Sequence, residues 1–162
     1  MSRGRSDTEG STSSNRREYS LASILHNVDA AERLVRMFCE RAGYTTQQCE
    51  EIGLAVRETV ANAVLHGNES DPSKRVILTT EVKECGVEVS VRDQGRGFDP
   101  NSVPDPLDPQ NLLKESGRGM LMIRTLMDEV SIECTKQGME IRMIKYLTNL
   151  SGGGAKHEHE IK

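Results

Sequence analysis

The stretch Glu58-Thr59-Val60-Ala61-Asn62-Ala63-Val64-Leu65-His66-Gly67-Asn68 decides how the rest of this chain reads. Its spacing is helical, and Glu58 and Asn62 stand four residues apart, so they leave one face of the helix a single turn apart. Their neighbours are mostly Ala, Val and Leu. A carboxylate and a carboxamide therefore project together from a largely apolar helix. A carboxamide oxygen can coordinate a hard cation such as Mg²⁺, which keeps several waters and takes further oxygens from phosphates. A carboxylate one turn away can take a proton from a hydroxyl or from water. By itself such a pair usually means a solvated stripe or a cap. Two later stretches give it weight: Asp93-Gln94-Gly95-Arg96-Gly97-Phe98-Asp99 and Ser116-Gly117-Arg118-Gly119-Met120.

Working outward, Thr45 with Gln48 three residues on has the form of a capping box. It opens a long helix running to about Leu65, with Cys49, Ile52, Ala55, Val56, Thr59, Val60 and Ala63 facing inward. Before it, Val28, Ala31, Leu34, Val35 and Phe38 recur at helical spacing, with Asn27 as candidate N-cap and Gly43 as the stop. Glu18 to Ser23 alternates weakly, as a short edge strand does. Beyond the long helix, Val76 to Val82 and Val87 to Val91 form a hairpin, and Val87, Val89 and Val91 alternate with Glu88, Ser90 and Arg92, so one face is buried. Four of the five prolines fall between residues 100 and 115, a loop composition. Gly119 to Met127 is again helical, and Val130 to Thr135 and Glu140 to Tyr146 make a second hairpin. This order predicts a two-layer α/β sandwich, with a mixed, mainly antiparallel sheet against helices. The strands do not alternate one by one with helices, which argues against a doubly wound dinucleotide fold.

A length of 162 residues suits one core. The domain is expected over 18–147, between a polar tail at 1–17 and a Gly-rich, charged tail at 148–162 that cannot offset the entropy of ordering. Lys and Arg number 21 against 25 Asp and Glu, a net charge of −4, so there is no basic footprint for nucleic acid or an anionic membrane. No apolar run has the length of a membrane span, and the N-terminus lacks the apolar core of a secretory signal. Cys39, Cys49, Cys85 and Cys134 form no CxxC pair. They read as mostly buried small hydrophobes in a reducing, cytoplasmic setting.

Asp93 ends a buried strand and enters a turn where Gly95 and Gly97 bare the backbone. A planar ring can pack there, and the carboxylate can accept a hydrogen bond from an exocyclic amine such as that of adenine. An ordinary Asp-Gly turn has the same sequence. Gly117 and Gly119 open a helix, whose free N–H groups favour phosphate. The Walker pattern of P-loop proteins is absent.

Taken in order, Glu58-x-x-x-Asn62, Asp93-x-Gly95-x-Gly97 and Gly117-x-Gly119 resemble the boxes of the GHKL ATPases. The likeness is strongest to the bacterial anti-sigma factor serine/threonine kinases. Residues 57–68 look like that group's first box, and Ser116 to Met120 with Leu126 to Val130 like its last. The resemblance implies ATP and Mg²⁺ as cofactors. By it, Asn62 binds the metal, Glu58 is the general base, Asp93 receives the adenine amine, and Gly95 and Gly97 floor the base pocket. Gly117 and Gly119, in a box that includes Arg118 and Met120, hold the phosphate end of the nucleotide beneath a lid spanning about Asp99 to Ser116. It further implies a Ser or Thr acceptor on a STAS-domain anti-sigma antagonist, a sigma factor as second partner, a homodimer, and Arg33 facing the sigma factor. Two positions depart from the group. Met139 stands where relatives often have a Thr that orders the adenine side, and Glu115 stands where some carry an arginine near the terminal phosphate. These departures keep a second reading open: a GHKL-fold regulatory module that binds nucleotide or protein without turnover.

Overall fold

A computed structural model describes residues 15–96 and 115–147. The expected tails beyond those limits, and most of the expected lid, lie outside the described residues. In chain order the elements are β1 (Arg16–Ala22), α1 (His26–Arg41), α2 (Thr46–Asn62), a π turn (Ala63–Gly67), β2 (Arg75–Val82), β3 (Gly86–Arg92), α3 (Glu115–Leu126), β4 (Glu129–Thr135) and β5 (Gly138–Tyr146). The strands form one five-stranded sheet in the order β1-β2-β3-β5-β4. All four pairings are antiparallel. The two-layer α/β prediction holds. β3 and β4 point the same way, but β5 lies between them.

One face of the sheet is aliphatic. Val76 and Leu78 on β2, Val87, Val89 and Val91 on β3, and Ile141 and Met143 on β5 are buried beneath the helices. Burying such a side chain contributes about 1.5–3 kcal/mol each. The opposite face carries Glu81, Glu88, Arg92, Glu140 and Arg142, the polar half of the alternation. α2 packs against both α1 and α3 and is the middle helix of its layer.

Helix boundaries follow local chemistry in part. The capping box is present: Thr45 Oγ1 accepts from Gln48 N at 3.2 Å, and Gln48 Oε1 accepts from Thr45 N at 3.1 Å. Gly43, at φ +91°, stops α1. Asn27 departs from its expected role. α1 begins at His26 with no side-chain cap, and Asn27 Nδ2 instead donates to Ala22 O at 2.8 Å, latching the helix onto the end of β1. Tyr44, in the α1–α2 turn, donates from its hydroxyl to Lys145 O and accepts from Val87 N, both at 2.7 Å. That turn is thereby fastened to β5 and β3.

Cys39 and Cys49 are buried, and burial pushes the Cys39 thiol up to about 12. Cys85 departs from the expected burial and is exposed in the β2–β3 turn; Cys134 is half-buried. Among the described residues no helix is long and apolar enough to cross a membrane.

Candidate functional site

β3 ends at Arg92, and the next residue, Asp93, is only 4% exposed. Its Oδ1 accepts from Gly95 N at 3.0 Å and from Met139 N at 3.1 Å. Asp93 N in turn donates to Met139 O at 3.0 Å. Two backbone amides on one oxygen fix the rotation of the carboxylate and turn Oδ2 toward Gly67. A β-carbon at Gly67 would overlap Asp93 Oδ2, and one at Gly95 would overlap Gly67 O. Gly138, at φ +147°, lies so close that a side chain there would strike Asp93 O. Three glycines from three segments therefore close on one carboxylate. Beside it opens a cavity of about 480 Å³ lined by Arg92, Asp93, Thr135, Gly138 and Met139 among others.

Gly95 was legible as a site residue from its motif, whereas Gly67, just past the expected helix end, and Gly138, just before the expected last strand, were not candidate site residues. Only the sheet register, which sets β5 against β3, brings Gly138 to Asp93. Gly97 lies outside the described residues.

Asn62 is the last residue of α2, and the helix runs on through the π turn, where Asn68 N donates to Ala63 O at 2.8 Å. The wider turn, of a kind frequent at functional sites, carries Gly67 onto Asp93. Glu58 and Asn62 are both half-buried, and among the described residues neither side chain has a hydrogen-bond partner.

Glu58 lies against α3. A β-carbon at Gly119 would overlap Glu58 Oε1. This corrects the reading of Gly117 and Gly119 as a pair that opens the helix. α3 starts at Glu115, so Gly117 falls in its first turn, where N–H groups lack intrahelical acceptors and suit an anion. Gly119 lies in the next turn, and its bare Cα makes room for the Glu58 carboxylate. Arg118 is exposed, whereas Met120 is 7% exposed and packs in the core, so its side chain is spent on packing.

Arg57, next to Glu58, donates to Asp29 and, at 3.0 Å, to Glu32 Oε2, tying α2 to α1. The Arg57 hydrogen bond holds the Asp29 carboxyl below its usual range, helped by the more distant charge of Arg33. Arg33 itself is exposed on α1. A second cavity, of about 320 Å³, is lined by Leu25, Val28, Leu54, Arg57, Glu58 and Met122 among others. Glu58 and Asp93 thus border separate cavities.

Residues 21–145 match the family described as histidine kinase-like ATPase domain. Over 128 residues the chain is 34% identical to a serine-protein kinase RsbW of Bacillus subtilis, covering 75% of this chain and 78% of that protein. It is 31% identical over 131 residues to an anti-sigma F factor of Bacillus cytotoxicus, covering 79% and 90%. A crystal structure of the RsbU and RsbW domains of a Mycobacterium tuberculosis protein superposes with a TM-score of 0.60 at 19% identity. It spans 82% of this chain and 34% of that one, a likeness of fold. The chain belongs to the histidine kinase-like ATPase family, a nucleotide-binding family, in the branch that holds serine-protein kinases and anti-sigma factors.

The residues present suit the nucleotide and metal that such a family implies. The Asp93 carboxylate is buried and oriented, with one oxygen turned away from its backbone partners. The Asn62 carboxamide is not engaged by any described residue.

Proposed function

We propose that this chain is a protein serine/threonine kinase that uses ATP with Mg²⁺ and also acts as an anti-sigma factor. Its acceptor is a Ser or Thr on a STAS-domain antagonist, and its second partner is a sigma factor, which it withholds from RNA polymerase in the cytoplasm as a homodimer. The observation that carries the reading is the meeting of Glu58, one helical turn from Asn62, with Gly119 in the second turn of α3. The names borne by the relatives support the same activity.

In this mechanism Asp93 accepts the hydrogen bond of the base amine through the oxygen its backbone partners leave free. Gly67, Gly95 and Gly97 let the base approach the backbone. Asn62 would hold the metal through its carboxamide oxygen, and the metal would supply charge that offsets the phosphates. The Gly117 N–H, in the first turn of α3, would face phosphate oxygen, and Arg118 would add positive charge. Glu58 takes the proton of the acceptor hydroxyl as its oxygen bonds to the terminal phosphorus; the bond from that phosphorus to the bridging oxygen breaks, and ADP leaves. Catalysis rests on placement and charge stabilisation, as in phosphoryl transfer generally. Arg33, exposed on α1, contributes to the sigma-factor surface.

The reading without turnover drew on Glu115 and Met139. The Met139 backbone N–H holds Asp93 Oδ1, while its side chain offers no hydroxyl to the adenine side. The test is transfer of labelled phosphate from ATP to the partner antagonist. Glu58→Ala is expected to abolish transfer while nucleotide still binds, and Asn62→Ala to lose Mg²⁺-dependent nucleotide binding. Undiminished transfer by Glu58→Ala overturns the mechanism, and ADP-free binding in the wild type, with antagonist present, favours the module.

A further inference from the structure

We propose that Asn68 is a positioning residue for the base-reading turn, acting with Gln94 as a two-point clamp on Asp93–Gly95. The proposal deepens the nucleotide reading above and rests on it for its consequence, but not for its geometry. Asn68 is fully buried. Its Nδ2 donates to Ser23 Oγ and to Arg75 O, each at 3.0 Å, and its Oδ1 accepts from Gln94 N at 2.8 Å. Its own N–H closes the π turn on Ala63 O. Gln94 answers from the other side: its Oε1 accepts from Arg75 N at 2.7 Å. The Arg75 peptide groups are bracketed, the carbonyl by Asn68 and the N–H by Gln94. The exit of β1, the π turn, the start of β2 and the exit of β3 thus converge on one carboxamide.

Gln94 lies between Asp93 and Gly95. The Gly95 N–H is one of the two donors that orient the Asp93 carboxylate. A Gln94 peptide free to rotate would carry that N–H away and leave Met139 N as the remaining donor. The position requires an acceptor for Gln94 N and a donor for Arg75 O on one short side chain. A carboxylate has no donor for Arg75 O, and an aliphatic chain has neither function. A partly satisfied buried network is costly, so the clamp acts as a unit. The sequence pattern hides this role, because Asn68 after Gly67 reads as an ordinary helix-stop pair.

The test uses the full chain with Asn68→Ala and Gln94→Ala, the latter at an exposed side chain that tolerates truncation. Without ligand, amide hydrogen exchange is expected to quicken at Gln94, Gly95 and Met139 in both variants, while core amides of α2 and β3 keep their protection. With ligand, ATP affinity is expected to fall roughly tenfold in Asn68→Ala, the scale of one lost hydrogen bond to a buried group, and less in Gln94→Ala. Preference for ATP over GTP is expected to shrink, and competition by magnesium pyrophosphate to stay as in the wild type. Equal loss for ATP and pyrophosphate, or exchange quickened throughout the chain, makes Asn68 a general structural residue and overturns the proposal. Unchanged exchange at Gln94 and Gly95 overturns it too. A wild type that binds neither ligand overturns the proposed function instead, and the exchange measurement still decides the clamp. Should Asn68→Ala fail to fold, Gln94→Ala carries both measurements.

Discussion

Gly119 lacks a side chain where the Glu58 carboxylate needs the space. The obstacle to a β-carbon there is the far end of a flexible side chain, not backbone. Gly119→Ala should therefore fold normally and gain up to about 1 kcal/mol of helix propensity. The displaced carboxylate should cost roughly a hundredfold in phosphate transfer, as misplacement of a reacting group by an ångström does. A raised or unchanged melting temperature with lost transfer confirms the assignment; full transfer refutes it. Met139 teaches the converse at the same scale. Its side chain lacks the hydroxyl that the family resemblance implies for that position. Its contribution to Asp93 comes from its backbone N–H, which any residue but proline supplies.

Among the elements, α1 and α2 were legible because their apolar positions recur at helical spacing and because Thr45 and Gln48 cap each other locally. What escaped sequence reading depends on distant partners. Asn27 looked like a cap but answers to Ala22, and the π turn is held in part by Asn68, whose bonds reach Ser23 and Gln94. Tyr44 belongs to this class: its hydroxyl serves backbone groups of β3 and β5 at once. Tyr44→Phe leaves a buried N–H and a carbonyl unpaired and should cost about 1–3 kcal/mol in urea unfolding. Nucleotide affinity of the folded variant should be retained, since the turn lies away from Asp93 and Glu58. A loss below about 0.5 kcal/mol would show that water replaces the hydroxyl.

Among the described residues, the layers are joined by few charged contacts, and the Lys145–Glu51 pair is the most sheltered. Lys145 Nζ donates to Glu51 Oε2 at 2.8 Å and to Leu126 O at 2.7 Å, linking β5 to α2 and to the end of α3. The Lys145 hydrogen bond holds the Glu51 carboxyl below its usual range against the opposing effect of burial. A carboxyl depressed by folding contributes stability above its unfolded pKa and loses it as pH falls through the folded value. Stability should therefore decline as pH drops below about 4.3, the ordinary glutamate value. Glu51→Gln should lower stability at neutral pH and flatten that decline. An unaltered acid limb in Glu51→Gln would remove the pair from the account.

The amino-acid sequence by itself determined the two layers, the helix faces, the hairpins and most residues of the candidate site, because periodicity, capping and short glycine motifs are local signals. The tertiary structure alone decided that β5 enters between β3 and β4, that Gly67 and Gly138 close on Asp93, and that Gly119 yields space to Glu58. Those facts follow from close approach between segments far apart in the chain. A glycine is written identically whether it ends a helix, turns a hairpin or vacates room for a carboxylate, and only the packed neighbours distinguish the three.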